Sequence, residues 1–261
     1  MLFDNAGKPT SALLEVLRIT GVDHDGTLLG IRNSTQSTWY QSGKIRASIG
    51  EEHGDLKTAL MPFFMKLGLI NEVLASNREY NNVLLLGATL LAVRKRLAFL
   101  MKEWDRGVRF QQVVLLGSSR PLNEKEIPEL LNASNLELPF DDSWTTGAEV
   151  PATEGQMMRM VYDQAQSRFP WKEEGKVVFR IHPGKANTEE TIHHWLSEEN
   201  PSPASCLAIS SQPFVKDQEL AVRKVLPAQF QVEAIGYAVP PSIPATVFLD
   251  NLAKIIFKLA E

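Results

Sequence analysis

From about residue 81 onward one pattern recurs: a short apolar run closes on small or polar residues, and a helical period follows. The runs are Val83-Leu84-Leu85-Leu86, Val113-Val114-Leu115-Leu116, Val177-Val178-Phe179-Arg180-Ile181, Cys206-Leu207-Ala208-Ile209 and residues 230–235 before Gly236. Unbroken apolar runs, in place of strict alternation, suit strands buried on both sheet faces. After the first run, Leu90, Val93, Leu97, Leu100, Met101 and Trp104 mark one helical face, with Arg94, Lys95 and Arg96 lying between these positions. Further helices are expected over 154–167, through His193 and Trp195, and over 217–226. A last one carries Phe248, Leu252, Ile255, Ile256 and Leu259. The fold class that follows is α/β: a three-layer, Rossmann-like, mostly parallel sheet with helices on both faces.

This pattern assigns residues 81–261 to the α/β core. Residues 1–80 hold a possible helix over 11–19, a polar Gly/Ser/Thr-rich stretch over 26–50 and a helix near 55–67, without the repeated pattern. They read as an N-terminal extension packed on the sheet, with a lid as one role for it. In 261 residues, 27 Lys and Arg against 31 Asp and Glu leave a net charge of -4, which argues against a large nucleic-acid footprint. No window approaches the ~20 apolar residues of a membrane span. The opening lacks the pattern of a signal peptide, so a cytoplasmic protein is expected, without membrane or nucleic-acid partners. The single cysteine, Cys206, excludes an intramolecular disulfide.

In open parallel sheets ligands bind beyond the carboxyl ends of the strands. There the chain places Gly87, Ala88 and Thr89, then Gly117, Ser118 and Ser119, then His182. Small residues let backbone N–H groups approach a ligand, and a following helix N-terminus favours negative charge; the same residues also permit tight turns. Glu154 and Thr188 stand at expected helix starts, where they are candidates for ligand contact or for capping by Thr153 or Thr188. His182 is the candidate acid–base group and Lys185 a candidate anion partner. Ser211, Gln212 and Phe214 offer a hydroxyl, an amide and an aromatic face able to hold a base. Adjacent His193 and His194 point about 100° apart on a helix and are rejected as a metal motif.

The segments VLLLGAT, VVLLGSS and ATEGQMM, the helix start Asn187-Thr188-Glu189-Glu190-Thr191 and the stretch AISSQPFVKDQELAVRK follow one another over residues 82–236. In that order they resemble the YdcF, SanA and ElyC family, a bacterial group with a Rossmann-like fold. The family's glycine pairs fall here on Gly87-Ala88 and Gly117-Ser118, and its asparagine on Thr191. The resemblance implies a nucleotide-like or S-adenosylmethionine-like ligand, or a role in cell-envelope metabolism. It places Gly87, Ala88, Thr89, Gly117, Ser118, Ser119, Glu154, Asn187, Thr188, Ser211, Gln212, Phe214 and Arg223 at the site. Arg223 could instead pair with Asp217 or Glu219.

A rival begins at Val22-Asp23-His24-Asp25-Gly26-Thr27-Leu28, which looks like the first motif of the haloacid-dehalogenase phosphatases. There Asp23 would attack phosphorus, Asp25 would act as acid and base, and magnesium would offset phosphate charge. That chemistry needs a strand before Asp23, and Ile19-Thr20-Gly21-Val22 is a poor one. A turn built from Asp-Gly is the other use of the segment. A third reading is a non-catalytic module whose N-terminal extension binds a protein partner.

Overall fold

The computed structural model describes residues 2–43, 49–145, 149–240 and 242–261. Positions 44–48 of the polar N-terminal stretch, 146–148 of the long segment after the second strand and 241 of the proline-rich segment lie outside the described residues. In chain order the main elements are α1 (Ser11–Ile19), α2 (Leu28–Thr38), α3 (Lys57–Lys66), β1 (Glu79–Leu86), α4 (Leu90–Asp105), β2 (Arg109–Ser118) and α5 (Glu126–Leu130). They continue with α6 (Glu154–Gln164), β3 (Lys176–His182), α7 (Thr188–Glu199), β4 (Ser205–Ser211), α8 (Val215–Val225), β5 (Gln231–Tyr237) and α9 (Ala245–Leu259).

The protein is α/β. Its five strands form one sheet in the order β3-β2-β1-β4-β5, and every pairing is parallel. Val83 pairs with Val113 and Leu207, and Ile209 with Leu85 and Ile235, so the apolar runs lie side by side. On one face Val83, Leu85, Val113, Leu115, Leu207 and Ile209 pack with Leu90, Val93 and Leu97 of α4 and Met157, Met158 and Val161 of α6. The alternate residues Leu84, Leu86, Val114, Leu116 and Ala208 are buried as well. α7, with buried Ile192 and Trp195, packs on β2 and β3. Burial on both faces is the reason the strands read as continuous apolar runs.

The chain divides into two compact units. One holds the sheet, Val73–Ser211 with Ala221–Tyr237; the other gathers Met1–Glu72, Gln212–Leu220 and Ala238–Glu261. This differs from a cut after residue 80, because α9 joins the N-terminal helices and not the sheet. α9 is buried around most of its circumference; α2 and α3 pack on it and α1 packs on α3, so that Leu13, Leu17, Ile31, Leu60 and Phe64 share one core with Phe248, Leu252 and Ile256. Phe64 stacks on Phe248 with centroids 4.6 Å apart. The polar α2 is held by contacts remote in sequence, since Gln36 Nε2 donates to the Ala253 carbonyl at 2.8 Å and Arg32 lies over the Phe257 ring. Among the described residues no helix is long and apolar enough to cross a membrane.

Candidate functional site

β1, β2 and β3 step outward in one direction, and the chain then returns past β1 to lay down β4 and β5. The sequence of strands therefore reverses between β1 and β4, the place where a parallel sheet leaves a crevice at its carboxyl end. The β1 turn, Gly87-Ala88-Thr89, opens there. Thr89 is the N-cap of α4, yet its side chain makes no capping hydrogen bond. Below the turn the buried Arg96 donates to the carbonyls of Leu86 (2.6 Å) and Gly87 (3.1 Å), which sets a positive charge under the strand end. On β4, Ser210 follows Ile209, the residue opposite Leu85. The Ser210 hydroxyl is buried and has no partner among the described residues.

A second cluster organises the neighbouring turns. Glu126 Oε1 accepts the Leu90 N–H of α4 at 3.0 Å, and Glu126 Oε2 accepts the N–H of Asn123. Glu154, the first residue of α6, accepts the Ser118 N–H and hydroxyl at the end of β2. Arg120 lies between the two carboxylates, 3.3 Å from Glu126 and 3.4 Å from Glu154, and also donates to the Ala88 carbonyl. Burial alone would raise the Glu126 pKa; the Asn123 and Leu90 N–H groups and Arg120 outweigh it and hold the carboxyl below its ordinary range. The cluster is charge-paired and nearly enclosed, and its chemistry is that of a tie between two strand ends.

The glycines act mainly through space. A Cβ at Gly117 would stand 2.7 Å from the Gly155 Cα, and one at Gly87 would stand 2.9 Å from Glu154 Oε2 and 3.0 Å from the Leu116 carbonyl oxygen. They let α6 approach β2, so their first use is packing. Ser119 joins β2 to β3, donating from its hydroxyl to the His182 carbonyl and from its N–H to the Gly184 carbonyl. His182 Nδ1 accepts the Gly184 N–H at 3.0 Å, and the ring meets His194 edge-on at 5.5 Å. Lys185 is exposed. Asn187, not Thr188, is the N-cap of α7 and forms a reciprocal capping box with Glu190; Thr153 and Gln156 do the same for α6.

Three expected contacts have other work. Gln212 Nε2 donates to the carbonyls of Gly68 (2.8 Å) and Asn71 (2.9 Å) in the helical unit. Phe214 is buried against Ile49 and Val247, which leaves no open ring face for a base. Arg223 donates to the Val232 carbonyl, near the amino end of β5 and away from the strand carboxyl ends. Asp217 pairs with Lys258 and Glu219 with Lys216. Ser211 is buried at the end of β4. Arg120 and Glu126 had no sequence signal of their own beyond lying in the segment after β2, and Arg96 none beyond its place between the core positions of α4.

The segment at Asp23 is corrected by its geometry. α1 ends at Gly21 in the left-handed region (φ 66°), with Val22 N–H bonded to the Leu17 carbonyl and Gly21 N–H to that of Arg18, a Schellman ending in place of a strand. Asp25 Oδ1 then accepts the Thr27 N–H (2.8 Å) and hydroxyl (2.7 Å), and Thr27 caps α2. The Thr27 hydroxyl bond is the main reason the Asp25 carboxyl lies below its ordinary pKa. Among the described residues no group of three His, Cys, Asp or Glu side chains could hold a metal ion.

No protein-family model matches the chain, and no curated protein sequence matches it.

Proposed function

We propose that the chain binds a nucleotide-like small molecule, S-adenosylmethionine or a phosphate-bearing nucleotide, at the carboxyl ends of β1 and β4, as a cytoplasmic Rossmann-like protein of the YdcF type. The observation that carries this is the reversal of strand order between β1 and β4, with Thr89 of the intervening turn making no side-chain cap. A carboxylate or phosphate of the ligand would meet the first turn of α4 beyond Leu90, whose own N–H Glu126 accepts, above the Arg96 guanidinium. The remainder would extend toward Ser210. Glu154 and Gly117 act as positioning residues behind this surface.

Calorimetric titration with ATP, ADP, S-adenosylmethionine and S-adenosylhomocysteine tests the proposal, with Thr89→Asp as the diagnostic variant. Aspartate is a good N-cap, so α4 keeps or gains stability while the new charge repels an anionic ligand. The expected result is saturable binding of at least one ligand, weakened roughly tenfold or more in Thr89→Asp at unchanged or higher Tm. Binding by none of the four, or binding indifferent to Thr89→Asp, would overturn it.

A further inference from the structure

α6 has two faces. Met157, Met158 and Val161 enter the core, and Gln156, Arg159 and Asp163, with Met160 at the core's edge, spaced i, i+3, i+7 and i+4, line a cavity of about 320 Å³ whose other walls include Trp144 and Glu149. That volume falls within the ~300–1,000 Å³ usual for small-molecule sites. None of the residues proposed to contact a ligand at the strand ends lines it.

Its charges are arranged unevenly. Arg159 and Asp163 are one helical turn apart and could pair, but the Arg159 guanidinium lies over the Phe179 ring, 4.0 Å from its centroid. Asp163 consequently makes no hydrogen bond or ion pair with another described residue. Although Asp163 as a whole is exposed, partial burial of its carboxyl raises the pKa, and Arg159 offsets this only in part. Glu149 adds a second carboxylate to the same lining. Two carboxylates against one withdrawn guanidinium favour a cation. Trp144, braced edge-on by Phe140 at 5.0 Å, and the Met160 thioether supply an apolar wall.

We propose that this cavity binds a small organic cation, a primary ammonium on a flat apolar body, with the ammonium at Asp163 and Glu149 and the body against Trp144 and Met160. An anionic ligand of the same shape is rejected by the two carboxylates. The site is separate from the strand-end surface and does not depend on it.

Tryptamine is the probe, and 3-indolepropionate, which carries the opposite charge on the same ring, is its control; both are titrated by calorimetry into the full chain. The expected result is saturable tryptamine binding, with 3-indolepropionate weaker by roughly tenfold or more. Asp163→Asn should weaken tryptamine by a similar factor. Because the folded state disfavours the Asp163 charge, that variant keeps or raises Tm at neutral pH, so lost binding cannot be ascribed to unfolding. Absence of saturation up to about 10 mM tryptamine, equal binding of the two probes, or binding unaltered in Asp163→Asn would each overturn the proposal.

Discussion

One carboxylate oxygen of Glu154 accepts two hydrogen bonds from a single residue, the Ser118 hydroxyl at 2.7 Å and the Ser118 N–H at 3.1 Å. This ties the first turn of α6 to the last residue of β2, while the other oxygen faces Arg120. A side chain that looked available for chemistry at a strand end is thereby committed to holding that strand end in place.

Glu154→Ala should cost about 2–4 kcal/mol, because it strips the buried Ser118 N–H of its acceptor and the Arg120 guanidinium of one of its two carboxylates. Urea unfolding of the two proteins measures it. A loss under about 0.5 kcal/mol would show that the contact contributes little.

Gly117→Ala should destabilise by about 1–3 kcal/mol, since its Cβ would press on backbone, the Gly155 Cα at 2.7 Å, and neither β2 nor α6 can yield easily. Gly50→Ala is the control: a Cβ there meets nothing within 4 Å, and the expected change is within about 0.5 kcal/mol. Thermal unfolding of both variants separates steric packing from a general intolerance of replaced glycines.

Acid should weaken the protein partly through Glu126. Its folded pKa lies below that of the unfolded chain, so its contribution is fully present above the ordinary value near ~4.3 and is lost as pH falls through the lower folded value. Glu126→Gln should lower stability at pH 7 by about 1–3 kcal/mol, and the gap from the parent should close toward low pH. Denaturant midpoints measured across the acid range give the comparison; a gap constant with pH would contradict it.

Cys206 should be inert in the folded protein. Burial pushes its thiol up to about 12, only partly countered by the Asn82 amide at 3.9 Å, so at pH 8 the thiolate fraction is on the order of 10⁻⁴. A thiol reagent should label the native chain only at the rate of opening, and the single thiol should appear promptly in urea. Fast labelling without denaturant would refute this.

The strands were legible because each is an apolar run that needs no partner to be recognised: Val83 to Leu86 lies within β1 and Val113 to Leu116 within β2. α1 matched its apolar spacing in the same way. The charged residues were not legible. Arg94 and Arg96, read from α4 as lying off the core face, are each 3% exposed, with their guanidiniums on backbone carbonyls. Nothing local distinguishes such an arginine from a solvated one, because its acceptors are at chain positions that only folding brings near.

Local patterning determined the α/β class, the five strands and most of the helices, since burial on both faces of a strand or on one stripe of a helix leaves its period in the residues that carry it. Tertiary structure alone decided the strand order, the joining of α9 to the N-terminal helices, and the commitment of Glu154, Gln212, Phe214 and Arg223 to structural partners. Those outcomes rest on which remote surfaces complement one another in shape and charge, and that complementarity is a property of pairs of segments, which no single stretch of sequence carries by itself.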